Sequence, residues 1–262
     1  MATLILKGSV GSGNAQGGVP HNQPDDVAKV RNRFVELGYV WLNGITTGKE
    51  SEFIRTIHLF QSTCKGSGKA DKGDGRISLR GDTHRWLAAE NAPGWVKIVG
   101  EYGCGWQSTP DLEFGSKQNS HTTTWMAERI RWAGFEYRTK AFWSGLLDAP
   151  PLWIRDCSRD IGGNALGHKS HETGIDVDMR LPLLPPNSHL WTRLQGHNYT
   201  KMFYYEAALL QLEAINAMMN PKNVWFNDPR FIAMKLCTDE PNHGNHYHIR
   251  INPPARVDGI YM

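Results

Sequence analysis

The stretch Ile175-Asp176-Val177-Asp178-Met179-Arg180 alternates apolar and polar residues, and His246-Tyr247-His248-Ile249-Arg250-Ile251 does the same. Alternation with a period of two marks a half-buried strand, because successive side chains point to opposite faces. Each stretch therefore predicts a strand with one face on a core and one polar face. Asp178 stands on the polar face of the first. On the second, His246, His248 and Arg250 share the polar face, while Tyr247, Ile249 and Ile251 turn inward. Two neighbouring strands of this kind bring a carboxylate and several imidazoles together.

His171 precedes Asp178 by seven residues, across Gly174, which lets the chain turn before the strand begins. Five of the 11 histidines fall in GHKSHETGIDVDMR (167–180) and HGNHYHIR (243–250). A catalytic zinc takes imidazole nitrogens and carboxylate oxygens, three from protein with an open position left over. These two segments can supply that set. A lone histidine on a strand is usually just a satisfied polar residue; it is the paired spacing that points to metal. His171-Glu172 begins like the helical HExxH motif, but the fifth position is Ile175, which excludes that arrangement. Asp176 reads as a solvated residue or one that binds neighbouring backbone. His189 and His197 read as loop residues.

The same residues resemble the family of penicillin-insensitive murein endopeptidases, within the wider group related to lysostaphin and the D-alanyl-D-alanine peptidases. The family pattern is H-x(6)-D followed much later by H-x-H, here His171 to Asp178 and then His246-Tyr247-His248. RDIGGNALGHKSHETGIDVDM (159–179), VWFNDPRFI (224–232) and HGNHYHIRI (243–251) carry the likeness, which spans about 100 residues. The resemblance implies that His171, Asp178 and His248 ligate one zinc per chain. It makes His246 the general acid or base beside the metal, with His168 and His243 lining the site and orienting substrate. Many relatives in the wider group place a Glu near the second segment as base. Here the candidate positions hold His243 and Asn245, so the base role lies between His246 and His243.

The implied fold is α+β, a small antiparallel sheet carrying the ligands with helices around it. Tyr204–Met218, with Leu209, Leu212 and Ile215 spaced for packing, fits as a covering helix. The implied activity is that of a zinc-dependent peptidoglycan hydrolase, a D,D-endopeptidase cutting the D-Ala to meso-diaminopimelate crosslink. Within that class the alternatives are another stem-peptide endopeptidase or a D,D-carboxypeptidase, whose terminal carboxylate Arg250 or Arg180 would hold. The alternative of another class is an inactive wall-binding module.

Upstream, three textures divide the chain. Residues 1–24 form a Gly-rich extended lead-in, unperiodic over 8–24. Residues 25–92 predict three helices. Asp25 or Asp26 caps the first, which carries Val27, Val30, Phe34 and Leu37 at helical spacing and ends at Gly38. The second runs from Glu50 to Gln61 with Phe53, Ile57 and Phe60 on one face, and the third lies around Thr83–Ala89. DVAKVRNRFVELGY, FIRTIHLFQ and DGRIS resemble the three-helix type of peptidoglycan-binding domain, which implies a wall-binding module ahead of the peptidase; a generic three-helix bundle is the competing reading. Asp71 to Asp74-Gly75 hints at a calcium loop, but the twelfth-position Glu and other oxygen ligands are missing. Residues 93–262 then hold the zinc peptidase domain. Its first part, 93–150, is a connector whose Trp95, Trp106, Trp125, Trp132 and Trp143 read as core.

The chain has 262 residues and a net charge of +3, enough to favour an anionic polymer such as cell wall but not to argue for nucleic acid. No apolar run approaches the ~18 residues of a membrane span, and Leu4-Ile5-Leu6 falls short of a secretory signal. A wall hydrolase without an export signal needs another way out, and the expected routes are phage lysis or injection into a rival cell. The second route implies a secretion-machine component and a periplasmic immunity protein as partners. Cys64, Cys104, Cys157 and Cys237 form no CxxC pair, so sulfur ligation is not expected. They read either as free thiols or as disulfides, with Cys157 to Cys237 the pair that would staple the site.

Overall fold

The computed structural model describes residues 4–13, 18–99, 103–108, 119–165, 168–185 and 202–259. His189 and His197 lie outside them.

The two alternating stretches form adjacent antiparallel strands. They are β7 (Asp176–Arg180) and β9 (His246–Ile251), with Asp178 paired to His248 and Asp176 to Arg250. Around them the order is β4 (Trp106–Ser108), β6 (Leu152–Asp156), β7, β9 and β8 (Pro221–Trp225). All pairings are antiparallel except β4 with β6, which is parallel. The sheet is therefore not wholly antiparallel, as expected, because β4 enters it as an edge strand in the same direction as β6.

Val177, Met179, Tyr247, Ile249 and Ile251 are buried on one face. They share a core with Met126, Ile130, Ala133 and Tyr137 of α4 (Thr124–Trp143) and with Ala207, Ala208, Leu212 and Ile215 of α5 (Tyr205–Met218). Burying this apolar face leaves the other face of β7 and β9 to the polar side chains, which is what period-two alternation dictates. Thr123 starts α4 by accepting the backbone N–H of Met126. Of the five tryptophans expected in the core, Trp95, Trp106 and Trp125 are buried, but Trp132 is 50% and Trp143 80% exposed. Those two sit on the outer side of α4.

A second core runs from Leu4 to Trp95. It gathers α1 (Pro24–Glu36), α2 (Ser51–Cys64) and α3 (Asp82–Ala88), close to the predicted helices. Phe34 makes edge-on contacts with Tyr39 and Phe60, at 5.3 and 5.4 Å between ring centres. The start of α1 differs from expectation. Gln23 precedes it and Pro24 opens it, where proline loses nothing by lacking an N–H. Asp26 instead folds back, buried, to accept the N–H groups of Lys7 and Gly8. The lead-in also departs from a plain loop. Its Val10–Gly11 strand (β1) pairs with Arg76–Ile77 (β2), a ladder too short to register as periodicity.

The connector likewise contains β3 (Trp95–Lys97), antiparallel to β5 (His121–Thr123). All four cysteines are free thiols, so no bridge joins Cys157 to Cys237. Cys237 donates to the Phe226 carbonyl instead. Among the described residues no helix is long and apolar enough to cross a membrane.

The two cores are bolted together beside β7. Thr63 donates to the Thr173 carbonyl and Thr173 to the Ser67 carbonyl, while Glu172 donates its N–H to Gly68 and accepts that of Ala70. The segment after α2 is thereby fixed against the turn that leads into β7.

Candidate metal centre

β7 and β9 set Asp178 and His248 opposite each other on the polar face, and the turn before β7 folds His171 over them. Gly174 makes that return possible. Its φ of 73° is in the left-handed region, and a Cβ there would strike the Trp95 ring and the Thr123 backbone. His171 itself has a φ of 68°, rare for a residue with a side chain.

Three ligand atoms then converge. Asp178 Oδ1 is 3.2 Å from His171 Nε2 and 3.2 Å from His248 Nδ1, and the two nitrogens are 3.4 Å apart. Ligands at about 2.0–2.1 Å from a tetrahedral ion stand about 3.3 Å from one another, so the triangle has the size that an ion requires. His171 and Asp178 are almost wholly buried and His248 is 6% exposed. Among the described residues, Asp178 Oδ1 is buried with only these two imidazole nitrogens against it. Two neighbouring groups, His168 with His171 and Asp178, and His243 with His246 and His248, each bring ligand atoms within 4.8 Å and could hold a metal ion.

A second layer supports the triangle. His248 Nε2 is 2.7 Å from Asp176 Oδ1, which also accepts from Arg250 Nε at 2.9 Å. A carboxylate behind a metal-facing imidazole fixes its orientation and raises its basicity. Asp176 is thus fully buried and paired rather than solvated. It shares the polar face of Asp178 two residues on, and that spacing was the signal for it. Gly68 completes the layer from the other core. A Cβ at Gly68 would collide with the Arg250 guanidinium and Asp176 Oδ2, so this neighbour must have no side chain.

The electrostatics follow from burial and proximity. Burial opposes the charge of Asp178, but His171 and His246 outweigh it and hold the carboxyl well below its usual range. Burial also opposes protonation of His248, yet Asp176 and Asp178 overcome it and push its pKa up to about 9. The proton that His248 holds is the one a metal ion displaces. Burial pushes His246 down to about 4 despite Asp178, so in the metal-free site this imidazole is neutral at pH 7. Burial, then His171, lowers His168; burial, then His248, lowers His243.

The remaining predicted residues also reach the site. His246 Nε2 and His168 Nδ1 lie 3.7 and 3.6 Å from Asp178 Oδ2. His243 stands farther out, its Nδ1 donating to the Pro241 carbonyl and its ring 5.6 Å from Trp225. The sequence reading missed Trp225, whose ring packs 4.6 Å from that of His248, and Asp156, 3.7 Å from His168. It also missed Ser67, Gly68 and Lys69, which line the cleft over the centre from the helical side. That cleft has a volume of about 980 Å³. Neither a protein-family model nor a curated protein matches the chain.

Proposed function

We propose that the chain is a zinc-dependent peptidoglycan hydrolase, a D,D-endopeptidase of the murein endopeptidase type that the sequence resembles. The observation that carries this reading is the buried triangle of His171 Nε2, Asp178 Oδ1 and His248 Nδ1 at 3.2–3.4 Å. Two imidazoles and one carboxylate suit zinc, and three protein ligands leave a position open for chemistry. Zinc bound at such a centre supplies Lewis-acid polarisation of a carbonyl and activation of water.

The protein groups around it have separable tasks. Asp176 holds His248 in place and Arg250 neutralises Asp176. His246 has Nδ1 2.6 Å from Asn245 Oδ1; with the hydrogen on Nδ1, Nε2 offers a lone pair to the cleft. Such an imidazole takes a proton from attacking water and returns it to the leaving amine. His168 and His243 flank the position where a substrate peptide would lie. The cleft is walled by both cores, so the three-helix module, read as wall-binding, also shapes the groove.

A carboxypeptidase would need a cation in the cleft to hold a terminal carboxylate, and Lys69, Lys169 and Arg250 line it, so the endopeptidase reading rests on the resemblance. Arg250 is engaged by Asp176 through Nε and Nη2, and Arg180 is only 4% exposed. Arg180 is thus withdrawn from the cleft, whereas Arg250 lines it. Zymography on purified cell wall tests the function. Clearing by the wild type, its loss on chelation and its return with zinc are expected. Clearing that survives full metal removal would overturn the metal reading, and zinc-loaded protein that clears nothing would favour an inactive wall-binding module.

A further inference from the structure

The Asp178 carboxylate has two oxygens, and the triangle uses one. Oδ1 faces His171 and His248, while Oδ2 faces a second pair, His168 Nδ1 at 3.6 Å and His246 Nε2 at 3.7 Å. The far nitrogen of His246 is hydrogen-bonded, and that of His168 faces a carboxylate beyond hydrogen-bond distance. His246 Nδ1 meets Asn245 Oδ1 at 2.6 Å, and His168 Nε2 stands 3.7 Å from Asp156 Oδ2. Imidazoles that ligate metals are held in this way, with the far N–H directed at a carboxylate or carbonyl oxygen. The near nitrogen of His246 then turns its lone pair to Asp178 Oδ2, and both near nitrogens stand from that oxygen at distances too long for a hydrogen bond. Negative charge and lone pairs converging without a proton between them are stabilised by a cation.

We propose that His168 Nδ1, His246 Nε2 and Asp178 Oδ2 form a second divalent-cation site, joined to the first through the Asp178 carboxylate. A carboxylate lending one oxygen to each ion suits a pair about 3.5–4 Å apart. The outer site is the weaker of the two. Its spacings of 3.6 and 3.7 Å are wider than the inner 3.2 Å, and a second dication is repelled by the first. Occupancy has a consequence for the chemistry proposed above, on which this part rests. It takes up the His246 lone pair that proton transfer needs, so excess zinc slows the enzyme.

Counting ions separates the two sites. Metal-free full-length chain is dialysed against graded free zinc, and bound metal is measured by elemental analysis. Two ions per chain are expected, the second at free zinc roughly tenfold or more above the first. His168→Asn and His246→Gln, made separately, are each expected to bind a single ion. A wild type that stops at one ion up to about millimolar zinc overturns the outer site and leaves the inner one standing. Two ions in both variants also overturns it. A wild type that binds none overturns the inner centre as well.

Discussion

His171 combines a candidate ligand atom with a φ of 68°, a conformation that costs a side-chain-bearing residue about 1–2 kcal/mol. Strain of this kind persists only where the surroundings hold it, here the Glu172 and Thr173 hydrogen bonds to 67–70. Glycine relieves the strain and alanine does not, yet both delete the imidazole. His171→Gly and His171→Ala are therefore both expected to lose bound metal and activity. In metal-free protein the glycine variant should be the more stable by about 1 kcal/mol. Thermal denaturation of the two, with metal analysis, checks this; an alanine variant that keeps its metal would remove His171 from the ligand set.

Asp176 and His248 make a second prediction at the same scale. Asp176→Asn keeps the shape but weakens the hold on His248, and metal affinity should fall about 10–100-fold. Unchanged affinity in competition with a chromophoric chelator would deny Asp176 that role. The proton on His248 adds a pH dependence. Its pKa is raised from 6.5 to about 9 in the folded, metal-free protein. Protonation thus stabilises that form fully below about pH 6.5, and this contribution is lost as pH rises through 9. Metal binding has the opposite slope, because the proton must leave. Zinc affinity should rise with pH between 6.5 and 9, by up to about tenfold per unit, and a flat profile would contradict the assignment.

At the scale of elements, β7 and β9 were legible because alternation fixes faces without reference to the rest of the molecule. Val177, Met179, Tyr247, Ile249 and Ile251 are all buried as their pattern requires. The helices α1, α2 and α3 were legible for the same reason at the helical period. α4 was not. Its aromatic residues lie on several sides, and Trp132, Phe135, Phe142 and Trp143 remain exposed, so no single apolar stripe stands out. Strands of two or three residues, such as β1 and β3, carry no period at all. Residue types and spacing made legible a carboxylate and several imidazoles on one face, and the resemblance picked His171, Asp178 and His248 from among them. The supports of that triangle were not legible, since Gly68 and Asp156 reach the site through tertiary contacts that leave no local pattern. Gly68→Ala tests that layer. It pushes a methyl group into Arg250 and Asp176, and weakened zinc binding is expected although residue 68 is no ligand. Wild-type affinity in this variant would mean the contact is slack.

Across the whole molecule, the helical core and the sheet core meet along residues 63–70 and 171–174, and both wall the cleft. A helical unit on a free linker could be removed without harm to the candidate metal centre; here its removal is expected to do harm. Excising residues 1–92 removes the partners of Glu172 and Thr173 and exposes the underside of the ligand turn. The remaining fragment is expected to bind zinc poorly and to show a broadened thermal transition. A fragment with native metal affinity would show that the helical module is only an anchor.

A zinc centre that cuts crosslinked stem peptides must leave defined products. Digestion of purified crosslinked muropeptides, with products weighed by mass spectrometry, tests it most directly. The account predicts conversion of dimers into monomers with intact tetrapeptide stems, abolished by chelation and by Asp178→Ala and restored to the wild type by zinc. Untouched dimers with zinc present, or release of free D-alanine from pentapeptides alone, would contradict it.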